Sequence, residues 1–148
     1  MNDLDESQKT LIRHDLMESA RKLLGVKYEF GAEWTKYEFI PESIDCSEMV
    51  EGIYTLHKLK MPDGSQNQFN FTVPVPAPRV GDLGFFGRGR SDNQIYHVGM
   101  VFDKTVVIEA RGFDPTAKFE TGKIILRPIW NWQNYKNFTG WRSHPKLA

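Results

Sequence analysis

Residues 43–50 of the 148-residue chain read SIDCSEMV, and Cys46 within this stretch is the only cysteine in the sequence. Asp45, directly before it, is a preferred N-cap residue, and Glu48 stands three positions later, as in a capping box. The apolar residues that follow are spaced as on the buried face of a helix: Met49, Val50, Ile53, Tyr54 and Leu56. The stretch therefore predicts a helix that begins near Asp45 and carries the lone cysteine in its first turn.

The predicted position of Cys46 favours a chemical role for its sulfur. In the first turn of a helix, backbone N–H groups point outward without partners and the helix dipole favours negative charge. Both features favour the thiolate, which is the nucleophilic form of cysteine. The alternative is that Cys46 is a small buried apolar residue, as free cysteines usually are. A base within reach of the sulfur would decide for the nucleophile.

The order of elements along the chain predicts an α+β fold. Apolar residues at three- to five-residue steps predict an amphipathic helix over about 6–24, followed by a stop at Gly25. Residues 61–82, which contain four prolines, are expected to form a long loop without regular structure. Strand-like runs then follow at 82–86, 97–102, 106–110, 123–128 and 138–142. We expect one domain, residues 1–148, with N-terminal helices packed on an antiparallel β-sheet.

Composition and charge exclude several classes of function. Lys+Arg and Asp+Glu both number 19, so the formal charge is zero, and the basic excess of a nucleic-acid-binding protein is missing. The lone cysteine and the scattered histidines lack the spacing of metal ligands, so neither a metal nor a cofactor is expected. The sequence shows no signal peptide and no apolar run long enough to span a bilayer, so we expect synthesis in the cytoplasm and no membrane partner.

One of the four histidines is placed to act as a base. His97 opens a strand, and Gly99 on the same face is expected to leave space for a substrate beside the imidazole. A histidine with a satisfied hydrogen bond in the core is the alternative. The other three histidines are expected at the surface: His14, His57 and His144.

Glu109 is the candidate partner for His97. It is a charged residue within an apolar strand, and such a residue needs a partner if it is buried. A three-residue turn over 102–104 would pair His97 directly with Glu109, whereas a two-residue turn at 103–104 would send Glu109 to the opposite face. In the first register the carboxylate would orient the imidazole and leave its second nitrogen for Cys46. The alternative is an edge-strand charge that faces water.

Three blocks of the sequence, in this order, carry a family resemblance. They are ARKLLGVKYEFGA (20–32), DCSEMV (45–50), and RVGDLGFF (79–86) followed by HVGMVFDKTVVIEARG (97–112). Together they resemble the NlpC/P60 family of papain-like cysteine peptidases, which cleave peptides of bacterial cell-wall peptidoglycan. The resemblance implies a papain-like fold with Cys46 as the nucleophile, His97 as the general base and Glu109 as the third catalytic group. Two departures are Glu48, where the family usually has glycine, and Glu109, where it often has histidine.

The resemblance also implies substrate-binding residues. Tyr28 matches a family tyrosine that helps to bind the substrate or the oxyanion, with simple packing as the alternative. The backbone N–H of Cys46 would be the other oxyanion donor. Asp45 and Ser47 match the nucleophile motif, as a helix cap and a residue on the substrate side.

The implied activity is an endopeptidase that cuts peptidoglycan stem peptides, usually at the bond between γ-D-glutamate and the diamino acid. Without an export signal or wall-binding repeats, the chain is expected to be a phage lysin, a tail-associated peptidase or a delivered effector. It would meet the cell wall after release, lysis or delivery. The alternatives are a related amidase or acyltransferase, similar to lecithin–retinol acyltransferases, and an inactive structural or binding module of a phage tail or secretion assembly.

Overall fold

The structure, a computed structural model, describes residues 3–148. The helices are α1 (Glu6–Arg21), α2 (Cys46–Leu56), α3 (Ser65–Phe71) and α4 (Ile129–Gln133), with a short 3₁₀ turn at Arg88–Arg90. The strands are β1 (Lys27–Tyr28), β2 (Ser43–Ile44), β3 (Val73–Val75), β4 (Leu83–Gly87), β5 (Ile95–Val101), β6 (Val106–Arg111), β7 (Lys123–Pro128) and β8 (Phe138–Ser143).

The eight strands form one sheet in the order β2-β1-β7-β6-β5-β4-β8-β3. Strands β4 to β7 are an antiparallel meander, and β8 returns to pair with the outer side of β4. The predicted α+β class, with helices on a largely antiparallel sheet, is confirmed. The exception is the two-residue pair β1–β2, which is parallel.

Helix α1 forms where its sequence predicts, with a shorter C-terminal end. Asp5 and Gln8 form a capping box at its start, each side chain accepting the other's backbone N–H at 2.8 Å. The helix ends at Arg21, and the chain leaves it through a turn that reaches Gly25, whose φ of +87° is readily adopted only by glycine. Leu11, counted in the predicted apolar face, is 67% exposed.

The prediction that residues 61–82 lack regular structure was wrong. Helix α3 occupies the interval between Pro62 and Pro74, where no proline interrupts the backbone hydrogen bonds, and it buries Phe69. Pro74 itself lies in β3, which is an edge strand. A missing N–H is tolerated on the free side of an edge strand, so proline at this position does not break the sheet.

The two faces of the sheet bury two separate apolar clusters. Side chains of β5 and β6 at even positions, such as Met100 and Ile108, pack with helices α1 to α3. Val101 and Val107, at odd positions, pack on the other face with Trp132 of α4 and Trp141 of β8. None of the helices in the described residues combines the length and apolar composition that crossing a membrane would need.

A buried ion pair joins the first helix to the sheet. Asp82, fully buried just before β4, lies 2.8 Å from Nη1 of Arg13 and accepts the backbone N–H of Arg79 at 2.8 Å. Nη2 of Arg13 donates to the carbonyl of Leu147 at 2.8 Å, which also holds the C-terminal segment. Asp82, the aspartate of the Gly-Asp pair in the third sequence block, therefore has a structural role.

We expect Arg13→Met to lower the free energy of unfolding by about 3–5 kcal/mol, because it leaves the Asp82 carboxylate buried without its cation. Arg21→Met is the control. Arg21 forms an exposed ion pair with Glu18 at 3.6 Å, so its replacement should lower the free energy of unfolding by less than about 1 kcal/mol. Urea unfolding of both variants measures the difference. Equal effects would contradict the role of the buried pair.

Candidate functional site

Cys46 is the first residue of α2, as predicted. Asp45 is the N-cap, with extended backbone dihedrals, and its Oδ1 accepts the backbone N–H of Glu48 at 2.9 Å and the Ser47 hydroxyl at 3.2 Å. Cys46 is a free thiol and is 8% exposed. The sulfur therefore lies in the first helical turn, near the positive end of the dipole.

The reciprocal half of the predicted capping box does not form. The N–H of Asp45 donates instead to the carbonyl of Ala32 at 3.4 Å. The carboxyl group of Glu48 lies with those of Glu51 and Asp63, with oxygen atoms of all three within 4.8 Å of one another. The cap therefore rests on Asp45 alone, and the side chain of Glu48 belongs to an acidic cluster.

Asp45 also ties the 29–43 loop to the start of α2. Its Oδ2 accepts the backbone N–H of Gly31 at 3.2 Å. Gly31 has a φ of +78°, which explains the glycine in the first sequence block. One carboxylate thus fixes both the start of the helix that carries Cys46 and the loop beside it.

His97 lies on β5 next to an irregularity in the sheet. Phe86 pairs with His97 whereas Gly87 pairs with Ile95, so β5 contains one extra residue at this point. Such bulges re-aim side chains and are common near active sites. The His97 side chain is only 12% exposed, and its ring lies 5.5 Å from the ring centres of both Phe86 and Trp132.

The structure brings His97 and Glu109 together, in a register that differs from the predicted one. Nε2 of His97 lies 2.8 Å from Oε1 of Glu109. Val101 pairs with Val107, and continuing this register places Glu109 opposite Gly99, diagonal to His97. The predicted direct pairing was therefore wrong, although both side chains share one face.

The turn between β5 and β6 explains the register. Oδ1 of Asp103 accepts the backbone N–H groups of Thr105 at 2.7 Å and Val106 at 3.0 Å. These bonds hold a three-residue turn, 103–105, closed by the N–H of Phe102 on the carbonyl of Val106 at 2.9 Å. The loop has an odd number of residues, as the hypothesis required, and begins one position later than expected.

The space beside Gly99 is occupied by protein. A Cβ atom on Gly99 would lie 2.7 Å from Cζ2 of Trp132. The expectation that this glycine leaves room for a substrate was therefore wrong, because the indole of α4 fills that room.

Glu109 is fully buried, so the alternative of an edge charge facing water is excluded. Its Oε2 accepts from Nε of Arg127 at 2.7 Å and from Nε1 of Trp132 at 2.9 Å, and its Oε1 accepts from Nη2 of Arg127 at 3.1 Å. Sequence reasoning missed Arg127 and Trp132. Arg127 carried a usable signal, because it interrupts an apolar strand just as Glu109 does.

The charges of His97 and Glu109 support each other. Burial opposes a charge on His97, but hydrogen bonds with Cys46 and Glu109 and the negative charges of both outweigh it and raise the pKa of His97 to about 9. Burial likewise works to raise the pKa of Glu109, but His97, Arg127 and Trp132 hold it below its usual value. Because Glu109 occupies Nε2, the nitrogen left for Cys46 is Nδ1.

Tyr28 and Ser47 lie close to these groups. Burial, followed by the negative charges of Cys46 and Asp45, raises the pKa of Tyr28 to about 12, so the phenol stays protonated. Gly112 lies against its ring, since a Cβ there would be 3.3 Å from Cε1. The Ser47 hydroxyl donates to Asp45, and the backbone carbonyl of Ser47 accepts from Nε2 of Gln68 at 2.9 Å.

The other histidines have separate partners. His144 is buried, contrary to the surface position expected, with Nε2 2.8 Å from the carbonyl of Lys60 and its ring stacked on Tyr54. His57 is half-buried and pairs with the hydroxyl of Ser19 at 2.7 Å. His14 is exposed, as expected.

We expect Glu48→Gln to stabilise the fold at neutral and alkaline pH. Burial and the carboxylates of Glu51, Asp63 and Asp45 raise the pKa of Glu48 to about 8. The folded protein therefore binds this proton more tightly than the unfolded chain, and stability falls as the pH rises from the ordinary carboxyl range to about 8.

The stabilisation by Glu48→Gln should therefore be absent near pH 4, grow as the pH rises, and level off above about pH 8. Urea unfolding at a series of pH values measures it. Glu38→Gln, at an exposed position, is the control and should show no such trend. A uniform effect of Glu48→Gln at every pH would contradict the explanation.

The sequence of the chain is similar to that of a known protein family. The sequence profile of the NlpC/P60 family matches residues 25–121, more than half of the chain. No curated protein sequence matches the chain significantly.

Several solved structures share the fold at low sequence identity. An NlpC/P60 family protein from Bacillus cereus superposes with a TM-score of 0.70 at 22% identity, covering 89% of this chain and 40% of that protein. The P60 domain of an antigen from M. avium subspecies paratuberculosis gives 0.70 at 19% identity, covering 92% and 96%. The peptidoglycan hydrolase RipB from Mycobacterium tuberculosis gives 0.69 at 19% identity, covering 95% and 67%.

The chain spans less than half the length of the Bacillus cereus protein, whereas it spans nearly all of the isolated P60 domain. The shared architecture is thus that of the domain. The profile match and the common fold together show that this chain belongs to the NlpC/P60 family.

Proposed function

We propose that this protein is a cysteine peptidase that hydrolyses amide bonds in peptidoglycan stem peptides, with Cys46, His97 and Glu109 as its catalytic triad. The observation that carries the proposal is a continuous chain of groups: a thiol in the first turn of a helix, an imidazole whose pKa that neighbouring thiol helps to raise, and a buried carboxylate 2.8 Å from Nε2 of that imidazole. The substrate class is inferred from the family and from structural neighbours such as RipB, which is a peptidoglycan hydrolase.

The first half of the reaction forms a thioester. The Cys46 thiolate attacks the scissile carbonyl carbon, and the carbonyl oxygen takes the negative charge. The backbone N–H of Cys46 and the protonated Tyr28 hydroxyl are the proposed donors to this oxyanion. As the intermediate collapses, the C–N bond breaks and the His97 imidazolium gives its Nδ1 proton to the leaving amine.

The second half hydrolyses the thioester. Neutral His97 takes a proton from a water molecule, whose oxygen attacks the thioester carbonyl. The C–S bond then breaks, which releases the carboxylic acid and restores the thiolate beside the imidazolium. Throughout both halves, Glu109 fixes the ring orientation and stabilises the imidazolium.

The bond proposed for cleavage is the one between γ-D-glutamate and the diamino acid, the usual family substrate. The proposed setting is the bacterial cell wall, reached by a phage lysin, a tail-associated peptidase or a delivered effector. The aligned thiol, imidazole and carboxylate favour an active enzyme over an inactive module of a phage tail or secretion assembly. An amidase or acyltransferase would use the same groups and is an outcome of the test below.

Cys46→Ala is expected to reduce release of soluble muropeptides from purified cell walls by about a thousandfold or more, because no other group supplies the nucleophile. His97→Ala should have an effect of similar size. The control is His57→Ala, which removes a histidine whose partner is Ser19 and should retain activity. Chromatography and mass spectrometry of the released peptides identify the bond that is cut.

Equal release by the wild type and Cys46→Ala would contradict the proposed mechanism. Absence of release by both, combined with Cys46-dependent cleavage of lipid or protein amides, would favour the amidase or acyltransferase.

The rate of cleavage should fall as the pH rises above about 9. His97 acts as an acid in the first half-reaction, and its pKa is raised to about 9 by Cys46 and Glu109 despite its burial. A pH–rate profile under substrate-limiting conditions measures this alkaline limb. A limb near 6.5, the ordinary histidine pKa, would show that the imidazolium lacks this stabilisation.

A further inference from the structure

We propose that Arg127 is a positioning residue of the active site: it keeps Glu109 ionised and fixed in place, so that Glu109 can hold His97 as an imidazolium facing Cys46. Trp132 completes the arrangement from α4. The proposal extends the proposed function, because it assumes that Cys46 is a nucleophile activated by His97. It does not depend on which amide is cleaved.

Arg127 donates two hydrogen bonds to the Glu109 carboxylate. Its Nε and Nη2 donate to the two different oxygens of Glu109 at 2.7 and 3.1 Å. Both side chains are almost fully buried, at 3% and 0% exposure. Two parallel bonds from a planar guanidinium fix the angle of the carboxylate as well as its charge, which a single ammonium group cannot do.

The guanidinium is itself held on several sides. Its Nη1 donates to Oδ1 of Asn131 at 3.2 Å, and its Cζ lies 5.1 Å and 5.4 Å from the ring centres of Trp132 and Phe86. The same two aromatic rings flank His97. Phe86 and Trp132 therefore pack against both the guanidinium and the imidazole, and the Glu109 carboxylate lies between these two groups.

Among the charged and polar groups around Glu109 within residues 3–148, Arg127 is the nearest cation apart from the imidazolium of His97 itself. His97 contacts it from β5, and Trp132 donates from α4 but carries no charge. Arg111 on β6 lies 4.0 Å away, is 20% exposed, and directs its Nη2 to Asp114 at 3.3 Å. Distance, solvent and a competing carboxylate all weaken its effect on Glu109.

The ionised state of Glu109 decides which tautomer His97 adopts. An isolated carboxyl group at a fully buried position would take up a proton. A neutral Glu109 would then donate its O–H to Nε2, and the imidazole would become the neutral form with its proton on Nδ1. Such a ring offers no positive charge beside the sulfur of Cys46. The cation of Arg127 prevents this sequence by keeping the proton off Glu109.

The experiment compares Arg127→Met, Arg127→Lys and Trp132→Phe with the wild type. Two measurements require no substrate: the rate of Cys46 alkylation by iodoacetamide as a function of pH, and the titration of His97 followed by NMR in ¹⁵N-histidine-labelled protein. Arg127→Met should lower the titration midpoint of His97 by about one pH unit or more and slow alkylation at pH 6 by about tenfold or more. Arg127→Lys and Trp132→Phe should shift the midpoint in the same direction by less.

A double mutant separates positioning from a purely structural role. If Arg127 acts through Glu109, Glu109→Gln alone should shift the His97 titration as Arg127→Met does, and adding Arg127→Met to Glu109→Gln should change it no further. The matched control is Arg13→Met, which removes another buried arginine from a buried carboxylate, Asp82. It should cost stability but leave the titration of His97 and the alkylation of Cys46 unchanged.

An unchanged His97 midpoint in any folded Arg127 variant would overturn the proposal, and so would a shift of equal size in Arg13→Met or a further shift in the double mutant. If Arg127→Met does not fold, Arg127→Lys and Trp132→Phe decide, and unchanged midpoints in both reject the proposal. If the wild type releases no muropeptides but the variants show the predicted shifts in the His97 midpoint, the proposed substrate is rejected and the role of Arg127 stands.

Discussion

The buried carboxylate of Glu109 is the interaction on which the site depends. A negative charge with no exposure to water is strongly unfavourable unless cations and hydrogen-bond donors surround it. Those donors come from β5, β7 and α4, while the carboxylate itself belongs to β6. Packing these four elements in any other arrangement would leave an ion unpaired in the interior. The charge therefore specifies where α4 lies on the sheet as well as how His97 is held.

The register of β5 and β6 decides whether this charge reaches His97 at all. Side chains alternate between faces, so a slip of one residue would turn Glu109 into the cluster that packs against the helices. Asp103 prevents the slip by accepting two backbone N–H groups of the turn. A surface turn with no contact to the thiol thus fixes the geometry of the candidate triad. The glycine at position 99 follows from the same packing, because the indole of Trp132 needs its surface.

Local sequence patterns could predict the parts of the site that have local causes. The cap at Asp45 and the first-turn position of Cys46 follow from side chain–backbone bonds within a few residues, and the charged Glu109 in an apolar strand indicated a buried partner. Arg127 shows the same signal, a charge within an apolar strand, but its partner could not be assigned because the contact with Glu109 depends on the pairing of β6 with β7 across a long connection. Helix α3 was missed because prolines on either side of it suggested a loop. The resemblance to the family was equally silent about Arg127, since a histidine at the third position would need no such cation.

The two departures from the family motif can be understood as a problem of charge. Glutamate at position 109 brings an anion into the core, and Arg127 neutralises it, so the net charge of that part of the interior is balanced. Glutamate at position 48 places another carboxyl group two residues from the thiol, where an anion would oppose the thiolate. Burial and the neighbouring carboxylates raise the pKa of Glu48 to about 8, so at neutral pH it is largely protonated and adds little negative charge to the first turn. One glutamate is thus kept charged by a cation, and the other is kept largely neutral by burial and by its anionic neighbours.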